Sequence, residues 1–158
     1  WLFSISCILN AIWIIFWHYG KLPLSLIIMI GLLVTLILIN ISIRELPFGI
    51  IKATFGVYLG WICIATIANV TALLVNIKWT GFNIPQETWT IILIFIGAVL
   101  IGLTVYRLKN PFIGLAVVWA FIGIAIKRQA DYKSIFISAI IALSLVALIS
   151  LWGFLRKA

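Results

Sequence analysis

The feature that most constrains the fold of this chain is its series of long apolar runs. No charged residue lies between Lys21 and Arg44 or between Lys52 and Lys78, and similar runs follow in the rest of the chain. A helix rises about 1.5 Å per residue, so about 20 apolar residues cross a hydrocarbon core of roughly 30 Å. The runs are longer than the strands of about ten residues in outer-membrane barrels. We therefore predict an all-α polytopic membrane bundle of about six transmembrane helices.

Composition and charge also favour an integral membrane protein. Of 158 residues, 66% are hydrophobic and 9% are charged, whereas an ordinary soluble domain has roughly 25% charged residues. The formal charge of +8 comes from eleven Lys and Arg residues, nearly all in the short gaps between apolar runs. That placement is typical of headgroup contacts and topology signals. We therefore expect the lipid bilayer as a partner and no nucleic acid.

Glycine, proline and basic residues mark where the predicted helices end. The predicted helices cover about 1–17, 23–43, 50–75, 88–106, 111–126 and 134–155. The longest predicted loop, 76–87, carries Trp79 and Phe82, and aromatic residues there are typical of the belt at headgroup level. Basic residues divide almost evenly between the two sides of the membrane, so they do not predict an orientation.

The sequence offers little for acid–base or metal chemistry. One histidine and three acidic residues all fall at predicted helix ends, namely His18, Glu45, Glu87 and Asp131. Cys7 and Cys63 lie inside apolar runs and predict neither a disulfide nor a metal pair. No ionisable residue falls clearly within a predicted span, which disfavours an ion-coupled carrier. We therefore predict that the protein is not an enzyme and has no metal site.

Polar and aromatic residues recur on one face of the first and of the third predicted helix. In the third helix they are Thr54, Tyr58, Trp61, Ala65, Asn69, Ala72 and Asn76. In the first helix they are Ser6, Asn10, Trp13 and Trp17. Intervals of three or four residues place each set on one face, and polar groups inside a bilayer rarely face lipid. The two stripes therefore predict a common pocket for a flat hydrophobic ligand, in which the mid-helix Trp61 is buried.

The same residues also permit an interpretation as close helix packing. Gly56 and Gly60 form a small-xxx-small pattern, and Asn10 and Asn69 would hydrogen bond across a helix interface. On this interpretation the protein is a structural subunit of a larger membrane assembly or of a homo-oligomer. A third alternative, a facilitator that moves a hydrophobic solute without ion coupling, shares the pocket with the first. The sequence leaves these three alternatives open.

Two segments of the chain resemble motifs of a known membrane protein family. Residues 9–16 read LNAIWIIF, and residues 57–69 read VYLGWICIATIAN. The first segment resembles the LNxxW stretch in the third helix of the translocator protein family, also called TspO/MBR or tryptophan-rich sensory proteins. The second resembles the PYLxWxxFATxLN pattern of the family's fifth helix. Together with their spacing, the motifs extend the resemblance over roughly residues 1–76.

The resemblance implies a domain organisation and a function. Residues 1–76 would be a TspO-like three-helix portion that lacks the family's first two helices, and residues 77–158 a three-helix membrane extension. The implied function is non-enzymatic binding of a planar hydrophobic molecule, with a porphyrin or another tetrapyrrole as the candidate ligand and no other cofactor. The implied role is that of a receptor in sensing or transport, in a bacterial plasma membrane.

The resemblance also implies which residues form the site. It places Trp13, Trp61, Ala65 and Asn69 in the wall of the cavity or among its supports. With their neighbours on the two stripes and in the motifs, the predicted ligand-binding residues are Asn10, Trp13, Trp17, Tyr58, Trp61, Ala65, Thr66 and Asn69. Val70 stands where the family has the aromatic residue that opens its sterol-recognition motif, so the resemblance does not imply sterol binding there.

Overall fold

The computed structural model describes residues 1–156, which form six α-helices joined by short connections. The helices are α1 (Leu2–His18), α2 (Leu22–Ser42), α3 (Ile50–Asn76), α4 (Gln86–Leu108), α5 (Phe112–Arg128) and α6 (Lys133–Leu155). A 3-10 turn, Gly81–Asn83, lies in the longest loop. The ends of every helix fall within about two residues of the prediction, a difference that is ordinary for helix boundaries. The predicted all-α membrane bundle is therefore confirmed.

Among residues 1–156, four helices are long and apolar enough to cross a membrane, namely α2, α3, α4 and α6. Their lengths are 21, 27, 23 and 23 residues. Helices α1 and α5 have 17 residues each, which is the lower end of the range of about 17 to 25 residues that can span the hydrocarbon core.

The helices do not pack in chain order. Helix α1 packs along α2, α2 along α3, α3 along α5, α5 along α6 and α6 along α4, while α4 also touches α3 and α5. Helix α1 has α2 as its main neighbour and contributes one fully buried residue, Ser6. The buried apolar side chains of α2 to α6 form one continuous core, with Leu36, Leu59, Ile101 and Val146 among its fully enclosed members. The bundle is thus centred on α3 and α5, with α1 at its edge.

Two glycines allow α3 and α5 to approach closely. A Cβ atom on Gly60 would collide with the carbonyl oxygen of Ile113. One on Gly56 would lie 2.7 Å from Oδ1 of Asn110 and 2.8 Å from Cβ of Phe112. These distances leave no room for a side chain, so the small-xxx-small pattern serves helix packing at this interface.

The buried amide side chains of Asn40 and Asn110 form a cluster that connects three helices, at the end of the bundle where Gly56 contacts Asn110. Nδ2 of Asn110 donates to Oδ1 of Asn40 at 2.8 Å and to the carbonyl of Lys52 at 2.9 Å. Nδ2 of Asn40 donates to the carbonyls of Leu36 and Phe55, both at 3.0 Å. Because these groups belong to α2, to α3 and to the residue that leads into α5, the cluster fixes the relative positions of the three helices.

The position of Lys52 differs from the expectation that no ionisable residue falls clearly within a span. Lys52 lies in the first turn of α3, and 1% of its surface is exposed. Its ammonium donates to the carbonyls of Arg44 at 2.7 Å and Leu46 at 2.9 Å. The bundle therefore encloses an ionisable residue within α3, contrary to our expectation. The reason is local, because the ammonium binds carbonyl oxygens of the α2–α3 connection that lack helical partners.

We predict that Gly60→Ala destabilises the protein by about 1–3 kcal/mol, because the new methyl group must displace the α5 backbone. Thermal unfolding in detergent, followed by circular dichroism, measures the effect. Gly123→Ala is the matched control, since nothing lies within 4 Å of a Cβ added at Gly123. Equal transition temperatures for the two variants would contradict the close approach of α3 and α5.

We predict that Asn110→Ala also destabilises the fold, by about 1–3 kcal/mol, because one buried acceptor is left unpaired. That acceptor is Oδ1 of Asn40, whereas the carbonyl of Lys52, the other acceptor of Asn110, lies within α3 and keeps its helical partner. The same thermal measurement tests this prediction, with the exposed Gln129→Ala as control. A loss no larger than that of the control would show that the amide cluster does not hold the helices together.

Candidate functional site

The polar and aromatic stripe of α1 faces α2. Ser6 is fully buried and donates to the carbonyl of Phe3 at 2.7 Å. Asn10 and Trp13 are half-buried, and Trp13 packs against the hydrophobic core. Trp17 is 40% exposed, and its ring centroid lies 6.1 Å from that of Trp13. The stripe therefore turns from the interior toward the surface as α1 approaches its carboxyl end.

The stripe of α3 is divided between the interior and the outer surface. Asn69 is 1% exposed, whereas Trp61 is 52% exposed, so the expectation that Trp61 is buried was wrong. Successive residues of a helix are separated by about 100° around its axis. Trp61 and Asn69 are eight positions apart, which is two full turns plus about 80°. The stripe follows the margin of the buried face, with Asn69 on its inner edge and Trp61 on its outer edge. The half-buried members of the predicted set in α3 are Tyr58, Ala65 and Thr66.

The stripes of α1 and α3 are connected through α2. The two helices meet at one end, where the rings of Phe3 and Phe55 lie 6.2 Å apart at 84°. Toward the other end of the helices, Nδ2 of Asn69 donates to Oγ of Ser25 in α2 at 2.9 Å. The expected pocket between two opposed stripes is thus a three-helix arrangement, which we call the α1–α3 sector because it consists of α1, α2 and α3.

Two polar atoms of this sector are buried without a hydrogen-bond partner. They are Nε1 of Trp13, which is a donor, and Oδ1 of Asn69, which is an acceptor. Trp13 and Ser25 both lie within about two helical turns of the tight connection between α1 and α2, and Asn69 is bonded to Ser25. The unpaired donor and acceptor therefore occur toward the same end of the bundle. A buried polar group without a partner costs roughly 1–3 kcal/mol, so each requires an explanation.

An open groove lies on the outer face of α3. Its volume is about 530 Å³, and it is lined by Ala53, Thr54, Val57, Tyr58 and Trp61. Two predicted ligand-binding residues, Tyr58 and Trp61, are therefore brought together on the outer surface of the bundle. The predicted set as a whole divides into this aromatic surface and the inner polar atoms of Trp13 and Asn69.

The titratable groups of the described chain are dispersed. Within residues 1–156, no group of three or more His, Cys, Asp or Glu residues could hold a metal ion. Glu45, in the connection between α2 and α3, accepts hydrogen bonds from Lys109 at 3.1 Å and lies 3.6 Å from Arg44. The hydrogen bond from Lys109, followed by that residue's positive charge, lowers the pKa of the Glu45 carboxyl group.

The contribution of α2 to this sector was not predicted from the sequence. Ser25 and Asn40 are both fully buried and are bonded to α3. They are fifteen positions apart, so they lie within about 60° of each other around the helix axis. Polar residues on one face of an otherwise apolar helix are the signal that would have identified them.

Comparison with known proteins identifies a family. A family model described as TSPO-like protein matches residues 1–152. The match contains α1 to α5 and most of α6, so it extends well beyond residues 1–76. The division of the chain near residue 77 stays a prediction. No curated protein and no solved structure matches the chain.

Proposed function

Because the chain belongs to the TSPO-like protein family, we propose that it is a non-enzymatic membrane protein that binds a planar hydrophobic ligand in the α1–α3 sector. A tetrapyrrole such as a porphyrin is the ligand class that we propose. The proposed role is that of a receptor in sensing or transport, in a bacterial plasma membrane. The family and the four long apolar helices show that the chain is an integral membrane protein. The ligand, the role and the assignment to a bacterial plasma membrane rest on the sequence resemblance.

The observation that best supports a ligand is the pair of unpaired polar atoms, Nε1 of Trp13 and Oδ1 of Asn69. Both atoms are buried and each requires a hydrogen-bond partner, so a bound molecule is the natural partner for them. A porphyrin carries carboxyl groups on a flat apolar body: a carboxylate oxygen accepts from the indole N–H of Trp13, and a protonated carboxyl group donates to Oδ1 of Asn69. It can therefore satisfy a donor and an acceptor while its remaining surface contacts aromatic rings.

The other predicted residues have positions that suit contact with such a molecule. The rings of Trp13 and Trp17 are tilted by 33° and lie side by side along α1. Tyr58 and Trp61 offer a second aromatic surface on α3. Flat aromatic surfaces with few polar groups are typical of sites for rigid hydrophobic ligands. Asn10, Ala65 and Thr66 complete the set as half-buried residues of α1 and α3.

We predict that the double variant Trp13→Phe and Asn69→Ala binds protoporphyrin IX roughly tenfold more weakly, because two hydrogen bonds are lost. The midpoint of tryptophan fluorescence quenching in detergent measures the affinity. Ser25→Ala is one control, since it removes the α2 partner of Asn69 but keeps the unpaired oxygen. Trp119→Phe is another, because Trp119 is 71% exposed on α5. An unchanged midpoint in the double variant would remove the proposed site.

A structural role in a larger assembly is the second candidate function. The 52% exposure of Trp61 favours it, because a large aromatic side chain on the outer face of α3 is available to a partner. On this view the exposed ring of Trp61 is covered by a partner helix in a homo-oligomer or another membrane complex.

We predict that Trp61→Ala leaves the mass of the protein in detergent unchanged and weakens porphyrin binding severalfold. Light scattering after size-exclusion chromatography gives the mass, and fluorescence quenching gives the affinity. The reason is that the Trp61 side chain supplies ligand surface on the outer face of α3, where it is 52% exposed although it follows Gly60 in the chain. A fall in mass with unaltered binding would support the assembly role in place of ligand binding.

A further inference from the structure

A long apolar groove runs between α4 and α6. Its volume is about 580 Å³. Ala98 and Gly102 of α4 are buried at its base, where a Cβ on Gly102 would lie 2.9 Å from Cδ1 of Ile149. The groove extends from Phe95 to Tyr106, a length of roughly 16 Å along α4. Exposed apolar side chains form its margins, namely Val99, Leu103, Leu145 and Leu148.

A cationic cavity lies where α4 and α6 both end. Its volume is about 280 Å³, and Lys109 and Arg156 are among the residues that line it. The guanidinium of Arg156 lies 4.2 Å from the ring centroid of Trp152. The carboxylate of Glu45, the partner of Lys109, is highly exposed. Within residues 1–156, no carboxylate forms an ion pair with Arg156.

Two aromatic residues connect the groove to the cavity. Tyr106 and Trp152 line both of them, and their rings are stacked with centroids 6.2 Å apart. Tyrosine and tryptophan are typical of the level of the lipid headgroups. The apolar groove therefore continues directly into a cationic cavity at the membrane interface.

We propose that this surface binds one anionic phospholipid of the surrounding bilayer. The phosphate lies against Lys109 and Arg156, and one acyl chain lies in the groove between α4 and α6. A guanidinium offers paired donors that suit phosphate oxygens, and an ammonium adds a point charge. A zwitterionic headgroup presents its own cation to these residues, so the site selects an anionic lipid. The proposal does not depend on the ligand proposed for the α1–α3 sector.

Native mass spectrometry in detergent tests the headgroup part of the proposal. We expect the protein to retain phosphatidylglycerol roughly tenfold better than phosphatidylcholine with the same acyl chains. The double variant Lys109→Gln and Arg156→Gln should lose this preference, whereas Lys127→Gln with Lys133→Gln, at the other end of the bundle, should retain it. A wild type without preference, or a double variant that keeps it, would overturn the proposal.

A second arm of the experiment distinguishes a bound lipid from a small anion. Leu148→Trp fills the groove from its exposed margin, so it should weaken retention of phosphatidylglycerol severalfold. Leu115→Trp, at an exposed position on α5 away from the groove, should not. Unchanged retention in Leu148→Trp would contradict the groove. Displacement of the lipid by an equal concentration of glycerol phosphate would identify a small-anion site and also overturn the proposal.

Discussion

The contact between the backbones of α3 and α5 is the constraint on which the rest of the bundle depends. Apolar side chains gain little by leaving lipid, so helices in a membrane associate through close packing and hydrogen bonds. Gly60 supplies the close packing against Ile113, and Asn110 supplies the hydrogen bonds to α2 and α3. This contact joins the two halves of the chain across residue 77, which agrees with a family match that runs through both halves.

The sequence predicted the helices well because charged residues, glycine and proline mark their ends. It did not predict which helices are neighbours, because the sequence of a helix that is apolar on all sides does not show which face packs against another helix. Asn40 and Asn110 are 70 positions apart, and nothing in their local sequence predicts the bond between them. Similarly, the periodicity of α3 identified a face but not its direction. Trp61 and Asn69 share that face, yet Trp61 is half exposed on the outer surface and Asn69 is buried.

The buried polar residues differ in how completely they are satisfied, and this difference separates structural from functional candidates. The side-chain amide nitrogens of Asn40 and Asn110 each donate two hydrogen bonds to acceptors within the bundle. Asn69 instead has a bonded amide nitrogen and an unpaired oxygen, and Trp13 has an unpaired indole nitrogen. Since an unsatisfied buried group opposes folding, selection would tolerate it where a ligand completes the bonding. Of the three buried side-chain atoms without a partner in residues 1–156, two therefore lie in the sector that the sequence resemblance indicates, and the third, Oγ of Ser150, lies in α6.

Lys52 and Lys109 differ in whether a phosphate group can reach their ammonium groups. The ammonium of Lys52 is enclosed and bound to two carbonyls, so no phosphate can reach it. Lys109 is exposed and shares its charge with Glu45, whose lowered carboxyl pKa keeps that partner ionised until the pH falls below the usual range for glutamate. At neutral pH, Glu45 therefore competes with a phosphate for Lys109. Arg156 has no such competitor within residues 1–156, so it contributes most of the selectivity for an anionic headgroup.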